Sequence, residues 1–134
     1  MCIRDSLIPP EQGDTEFADE RAGYDALPEA MKQKIEGLVA SHSIWHSRSL
    51  SGFPEPTAEE LQSRPPAEHL IVQTHPTSGR KTLYLASHAS HIVGWPVADG
   101  RILLYDLNLH ATRPECVYSH KWRVGDLVLS LIHI

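Results

Sequence analysis

Proline residues divide this chain into short segments and leave few windows long enough for a helix. Pro54, Pro56, Pro65 and Pro66 interrupt residues 41–69, because proline lacks a backbone N–H and clashes with the preceding helical turn. That stretch is therefore predicted to be mostly irregular. An irregular segment of this length is typical of a functional lid or insertion.

Capping residues predict two short helices. Asp19 has a side chain suited to the N-cap of a helix over 20–26, since its carboxylate can accept the free N–H groups of the first turn. Thr57 followed by Glu60 is a capping-box pattern. It predicts one short helix over 58–63 inside the otherwise irregular stretch.

Apolar spacing predicts two further helices. One begins at Pro28 and places four apolar side chains on one face over about three turns, at Met31, Ile35, Leu38 and Val39. The other covers 98–110, with Ile102, Tyr105 and Leu109 on one face. Neighbouring leucines widen that face, so this helix is expected to be well buried against a sheet.

The remaining runs are typical of strands. Residues 70–75 and 81–85 are rich in β-forming side chains and are separated by five turn residues, which predicts a hairpin. Strands are also expected over 115–122 and from Leu127 onward. The residues by themselves thus predict an α+β architecture, mostly β with flanking helices.

Charge and cysteine content exclude several classes of protein. The 134 residues carry 12 Lys and Arg against 17 Asp and Glu, a net charge of −5, whereas a nucleic-acid binder needs a basic surplus. No apolar run has the length of a membrane span. Two cysteines make no disulfide framework and favour a cytoplasmic location. We expect neither a nucleic-acid partner nor a membrane partner.

Nine histidines invite a test for metal binding. None has an acidic residue two positions later, so the His-x-Asp or His-x-Glu sign of a non-haem iron site is absent. His42 with His46 has the spacing of a helical ligand pair, and His88 lies three residues before His91. We favour ordinary hydrogen-bonded or solvated loop histidines for both pairs. Zinc binding by either pair is the alternative. No catalytic constellation or nucleotide-binding loop is present.

Several collinear segments resemble the TauD/TfdA family of iron(II)- and 2-oxoglutarate-dependent dioxygenases. The segments are 9–17, 24–28, 74–81, 87–94, 110–115 and 122–128. The run His-Ala-Ser-His at 88–91 is more similar to the chlorophenoxyacetate branch than to the taurine branch. The resemblance implies a double-stranded β-helix (jelly roll), present here in part. It also implies oxidative decarboxylation of 2-oxoglutarate coupled to hydroxylation of an organic acid or sulfonate.

The resemblance also implies roles for three residues. Thr15, the threonine of Gly-Asp-Thr, corresponds to the residue that hydrogen-bonds a 2-oxoglutarate carboxylate in this family; the alternative is that it merely packs in a strand after a turn. His88 and His91 fall in the segment that borders the substrate pocket, which makes them candidate contacts to the substrate carboxylate. No catalytic residue and no metal ligand is assigned to this chain.

The family's iron ligands are expected beyond both ends of this sequence. The His-x-Asp would precede Met1, and the distal histidine and the 2-oxoglutarate arginine would follow residue 128. His133 does not replace the distal histidine, because it lies four residues too early, about 13 Å along a strand. Residues 7–128 are predicted to be a partial dioxygenase domain, and residues 1–6 and 129–134 are predicted to be non-native.

Two functions follow from these expectations. The first is an internal fragment of a dioxygenase whose parent uses Fe(II), 2-oxoglutarate and a small acid substrate, the chain alone being inactive and binding no cofactor fully. The second is a non-catalytic jelly-roll module that binds a small anion or a partner. Homo-oligomerisation is left open. Unpaired strand edges predict self-association, with 127–134 as an exposed β-rich segment.

Overall fold

The computed structural model describes residues 2–4 and 13–129, and in it short strands and helices alternate. The strands are β1 Cys2–Arg4, β2 Thr15–Ala18, β3 Val39–His42, β4 Ala67–Leu70, β5 Val72–Thr74, β6 Lys81–Leu83, β7 Ala89–Ile92, β8 Val117–His120 and β9 Leu127–Leu129. The helices are α1 Glu20–Asp25, α2 Glu29–Ile35, α3 Ile44–Leu50, α4 Ala58–Ser63 and α5 Val97–Ala111, with a 3₁₀ turn at Pro114–Cys116. No helix among these residues is long and apolar enough to cross a membrane.

Four small antiparallel sheets organise the described strands. The largest has the order β4-β3-β7, and the others pair β2 with β8, β5 with β6, and β1 with β9. In the three-stranded sheet, Ala40 lies opposite both His69 and Ile92, and Ser41 lies opposite His91. The register shifts between Ser41 and His42. This irregularity falls at His42, whose ring packs against that of His69.

The helix that begins near Pro28 is shorter than predicted. It ends at Ile35, because Gly37 adopts a left-handed backbone with φ of 75°, a conformation that ends a helix. Leu38 and Val39 then use their carbonyls to accept hydrogen bonds from Ile71 and Val93. Val39 begins β3 instead of extending the apolar face of α2.

The prediction of a mostly irregular stretch over 41–69 is wrong. Besides the expected α4, whose Thr57–Glu60 capping box is present, the stretch contains α3, β4 and the end of β3. The prolines do not interrupt these elements, because Pro54 and Pro56 fall between α3 and α4 and Pro65 and Pro66 fall between α4 and β4. The four prolines therefore lie in the connections between these elements.

The predicted hairpin is confirmed with shorter strands. Val72 pairs with Leu83 and Thr74 pairs with Lys81. The predicted strand over 115–122 is also shorter, because Pro114–Cys116 forms a 3₁₀ turn and the strand begins at Val117. Cys116 ends this turn and is buried.

The longest helix, α5, packs through the leucines that were predicted to widen its apolar face, and not through the three residues predicted to centre it. Leu103, Leu104 and Leu107 are buried, with Gly100 and Ala111 on the same face. The expected contact residues Ile102, Tyr105 and Leu109 are 61%, 64% and 53% exposed. Both faces are apolar, and the small residues Gly100 and Ala111 decide between them by allowing close approach. A Cβ at Gly100 would lie 2.9 Å from the backbone nitrogen of Ile92.

Candidate functional site

Thr15 opens β2 and is half-buried. Gly13, two residues earlier, has φ of 110°, and β2 pairs with β8 so that Thr15 lies opposite His120. The indole Nε1–H of Trp122 donates to the Thr15 hydroxyl oxygen at 2.9 Å. Since an indole N–H can only donate, the hydroxyl hydrogen of Thr15 is left to bind another acceptor.

His120 links this threonine to a hydrogen-bonded network. Its ring packs edge-on against Trp122 with centroids 4.6 Å apart, its Nε2 lies 3.1 Å from Asp126 Oδ2, and its Nδ1 lies 3.1 Å from the Tyr118 hydroxyl. The same Asp126 oxygen accepts the backbone N–H of Arg123 at 2.9 Å. The network holds Trp122, and through it the Thr15 hydroxyl, in one orientation.

An open groove of about 390 Å³ lies beside this network. Its lining residues are Tyr118, Ser119, His120, Lys121, Arg123 and Asp126. Two permanent cations and one carboxylate give the groove a net positive charge, which suits a small anion. These residues form no local sequence motif. Their relation to Thr15 depends on the pairing of β2 with β8, so they could not be recognised as part of a site from the sequence.

His88 and His91 lie where β7 meets β3 and α3. His88 Nδ1 is 2.7 Å from the Ser47 hydroxyl oxygen, and the His88 carbonyl accepts the backbone N–H of Ser43. His91 Nδ1 is 2.9 Å from the hydroxyl oxygen of its neighbour Ser90. His88 is exposed and His91 is half-buried. Both rings are therefore held at one nitrogen by a serine.

The alternative that pairs His42 with His46 on one helix does not hold. His42 ends β3, and His46 lies within α3. His42 instead packs against His69 and Tyr84, with ring centroids 5.4 and 5.2 Å away. The i,i+4 spacing does not place the two side chains on one helical face, because His42 belongs to a strand and His46 to the helix that follows Ser43.

Burial favours the neutral forms of two histidines, and neighbouring ionisable groups add to the effect. Burial, followed by the nearby His69 and His88, lowers the pKa of His42, and its buried Nε2 has no hydrogen-bond partner. Burial, followed by Arg101 and His91, lowers the pKa of His46. Within residues 2–4 and 13–129, no group of three or more His, Cys, Asp or Glu could hold a metal ion. His133 lies outside the described residues.

The chain is similar in sequence to known dioxygenases. A family model described as "Taurine catabolism dioxygenase TauD, TfdA family" matches residues 2–130. An alpha-ketoglutarate-dependent 2,4-dichlorophenoxyacetate dioxygenase of Burkholderia sp. (strain RASC) is 50% identical over 123 residues, which are 92% of this chain and 41% of that protein. An (S)-phenoxypropionate/alpha-ketoglutarate-dioxygenase of Sphingobium herbicidovorans is 38% identical over 129 residues, covering 92% of this chain and 45% of that protein.

Solved dioxygenase structures are similar to this chain in fold and in sequence. The structure of AAD-2 in complex with Mn(II) and N-oxalylglycine has a TM-score of 0.87 and 52% identity, covering 90% of this chain and 48% of that one. A taurine dioxygenase from Burkholderia xenovorans has a TM-score of 0.75 and 30% identity, covering 94% of this chain and 40% of that one. The jelly-roll prediction is confirmed by these neighbours. The chain spans less than half the length of the relatives it matches.

Proposed function

Because the chain belongs to the TauD/TfdA family of dioxygenases, we propose that it is part of an iron(II)- and 2-oxoglutarate-dependent dioxygenase that hydroxylates a small organic acid. The observation that carries this proposal is the oriented hydroxyl of Thr15. Trp122 donates to its oxygen, which leaves its hydrogen available for a further acceptor. A carboxylate oxygen of 2-oxoglutarate is such an acceptor.

The groove beside the His120 network extends this role. Lys121 and Arg123 add positive charge near the hydroxyl's network, which attracts a dicarboxylate before it binds. In this proposal Thr15 adds one directed hydrogen bond, and His120 keeps Trp122 in place to orient it. The main charge pairing is assigned to an arginine of the parent enzyme outside this sequence.

The residues that the structure describes do not fit an iron centre, since they contain no three-ligand cluster. Bound iron in the parent enzyme would supply the oxidative chemistry. We therefore assign no step through iron to these residues and propose that the ligands belong to other parts of the parent. The role left to this chain is to bind and orient acids.

The substrate end is proposed to lie at His88 and His91. The first relative is named for a dichlorophenoxyacetate and another for a phenoxypropionate, and both names describe organic acids. Imidazoles that become protonated can donate hydrogen bonds to a substrate carboxylate. The proposal includes a cytoplasmic enzyme without nucleic-acid or membrane partners, supported by the acidic charge balance and the two cysteines, and leaves its oligomeric state open.

Titration of the full chain with 2-oxoglutarate tests the role of Thr15. The indole N–H resonance of Trp122 should shift, whereas that of Trp45, which donates to the Arg64 carbonyl, should not. Thr15→Val should abolish the shift and Thr15→Ser should retain it, because serine keeps the hydroxyl. Thr112→Val is the matched control, since Thr112 donates only to the Asn108 carbonyl at the end of α5. An unchanged titration in Thr15→Val would refute the role.

A non-catalytic module that binds small anions is the second candidate. The groove of Lys121 and Arg123 favours it, and it requires no metal ligands. Both candidates predict 2-oxoglutarate binding, but only a catalytically competent chain forms succinate when iron and a phenoxyacetate are added. We expect no succinate from this chain, so succinate formation would contradict our assignment of the iron ligands elsewhere.

A further inference from the structure

Two serines contact His88 and His91 in the same manner. Ser47 donates its hydroxyl hydrogen to the Ile44 carbonyl at 2.9 Å, while its oxygen lies 2.7 Å from His88 Nδ1. Ser90 donates to the Ser41 carbonyl at 3.0 Å, while its oxygen lies 2.9 Å from His91 Nδ1. One serine comes from α3 and the other from β7, so the shared pattern has two separate structural origins.

This pattern determines which nitrogen of each ring carries the hydrogen. A serine hydroxyl has one hydrogen, and a carbonyl oxygen can only accept. Because the carbonyls of Ile44 and Ser41 take the serine hydrogens, the serine oxygens can only accept from the histidines. With the serine hydrogens on these carbonyls, His88 and His91 carry hydrogen on Nδ1, and Nε2 is the nitrogen turned away from the serine.

Other histidines of this chain are fixed in the opposite form. His75 Nδ1 accepts the backbone N–H groups of Thr77 and Ser78 at 3.3 and 3.2 Å. His110 Nε2 lies 2.9 Å from the Gly23 carbonyl, which can only accept, and this contact is shorter than the 3.5 Å between the same nitrogen and Arg113 Nη2. The Nδ1–H form is thus a property of the two serine-bound rings and not of the chain's histidines in general.

We propose that Ser47 and Ser90 are positioning residues that hold His88 and His91 as Nδ1–H tautomers and present Nε2 to the substrate carboxylate. This inference rests on the proposed function, since it deepens the role of the two histidines there. A proton taken up by either ring can enter only at Nε2, so the N–H that meets the carboxylate forms at that atom. The serines act through the histidines and touch no substrate.

Imidazole NMR of the ¹⁵N-labelled full chain, without any ligand, tests the tautomers. Long-range proton–nitrogen correlations should show the hydrogen of His88 and His91 on Nδ1, and that of His110 on Nε2. Ser47→Ala should remove the Nδ1–H signature of His88 and leave His91 unchanged, and Ser90→Ala should do the reverse. Ser47→Thr should retain the wild-type pattern, because threonine keeps the hydroxyl.

Ser49→Ala is the matched control, since Ser49 makes the same backward bond in α3, to the His46 carbonyl at 2.7 Å, without contacting an imidazole in that bond. It should leave the tautomer of His88 unaltered. An Nε2–H form of His88 in the wild type would overturn the proposal. So would an unaltered His88 in Ser47→Ala while the His110 signal confirms an intact fold.

Phenoxyacetate, used as the carboxylate probe, separates this inference from the proposed function. Its addition should shift Nε2 of His88 in the wild type and in Ser49→Ala, with loss of that shift in Ser47→Ala. If the tautomers are as proposed but no histidine responds to phenoxyacetate, the substrate role assigned to His88 and His91 fails and the action of the serines on the rings is supported.

Discussion

Replacing Glu20 by glutamine should stabilise the fold at neutral and higher pH while leaving its stability near pH 4 unchanged. Glu20 is the first residue of α1, and its carboxylate accepts the backbone N–H of Leu85 at 3.2 Å. Burial raises the pKa of Glu20 from 4.5 to about 7, and the Leu85 hydrogen bond opposes that rise. Glutamine keeps the accepting oxygen and removes the buried charge.

The sign follows from proton binding in the two states. The folded state holds the Glu20 proton more tightly than the unfolded state, because its pKa is the higher one. The stability that this proton contributes is complete below pH 4.5 and is lost as pH rises through about 7. At about 1.4 kcal/mol per pH unit the difference amounts to about 3 kcal/mol, and the partial exposure of Glu20 reduces the expected gain in Glu20→Gln to about 1–3 kcal/mol.

Urea unfolding followed by tryptophan fluorescence at several pH values between 4 and 8 measures this effect. Glu29→Gln is the matched control, because Glu29 is likewise the first residue of a helix, α2, but is exposed. Both variants lose the same favourable interaction with a helix N-terminus, so the difference between them isolates the burial of charge. The reasoning would be refuted if the stability gain in Glu20→Gln did not grow with pH. It would also be refuted if that gain equalled the change in Glu29→Gln.

Further predictions concern the two faces of α5. Leu107→Ala should lower the free energy of unfolding by about 2–5 kcal/mol, since Leu107 is 1% exposed. Ile102→Ala should change it by about 0.5 kcal/mol or less. Equal effects of the two variants in urea unfolding would contradict the observed packing. Gly100→Ala should destabilise by about 1–3 kcal/mol, because its Cβ would crowd Ile92; unchanged unfolding would be inconsistent with that approach. Ile102→Gln combined with Leu109→Gln should reduce self-association in concentration-dependent light scattering, because an exposed apolar face favours association; unchanged scattering would locate the association elsewhere.

Local signals predicted those parts of the fold whose hydrogen-bond partners lie within a few residues. Asp19 accepts from Arg21 and Ala22, and Thr57 exchanges hydrogen bonds with Glu60, so both helix starts were readable from spacing. β3 could not be predicted in this way, because its register depends on β4 and β7, which lie more than 20 residues away in sequence. The buried face of α5 was also ambiguous, since both faces are apolar and close approach to Ile92 selects one of them.

The limits of sequence reasoning at the candidate site have the same physical origin. Resemblance to a family identified Thr15, His88 and His91, but the groups that determine what these side chains can donate lie 107 residues from Thr15 and 41 residues from His88. A histidine has two nitrogens and one hydrogen in its neutral form, so its position in the sequence does not determine its chemistry. The nearby acceptor or donor decides, as the opposite tautomers of His88 and His110 illustrate. The number of histidines therefore prompted a test for a metal site, but the individual partners of the rings indicate hydrogen-bonding roles. Some rings make fixed structural contacts, and for the two held by serines we propose contact with an acid ligand through Nε2.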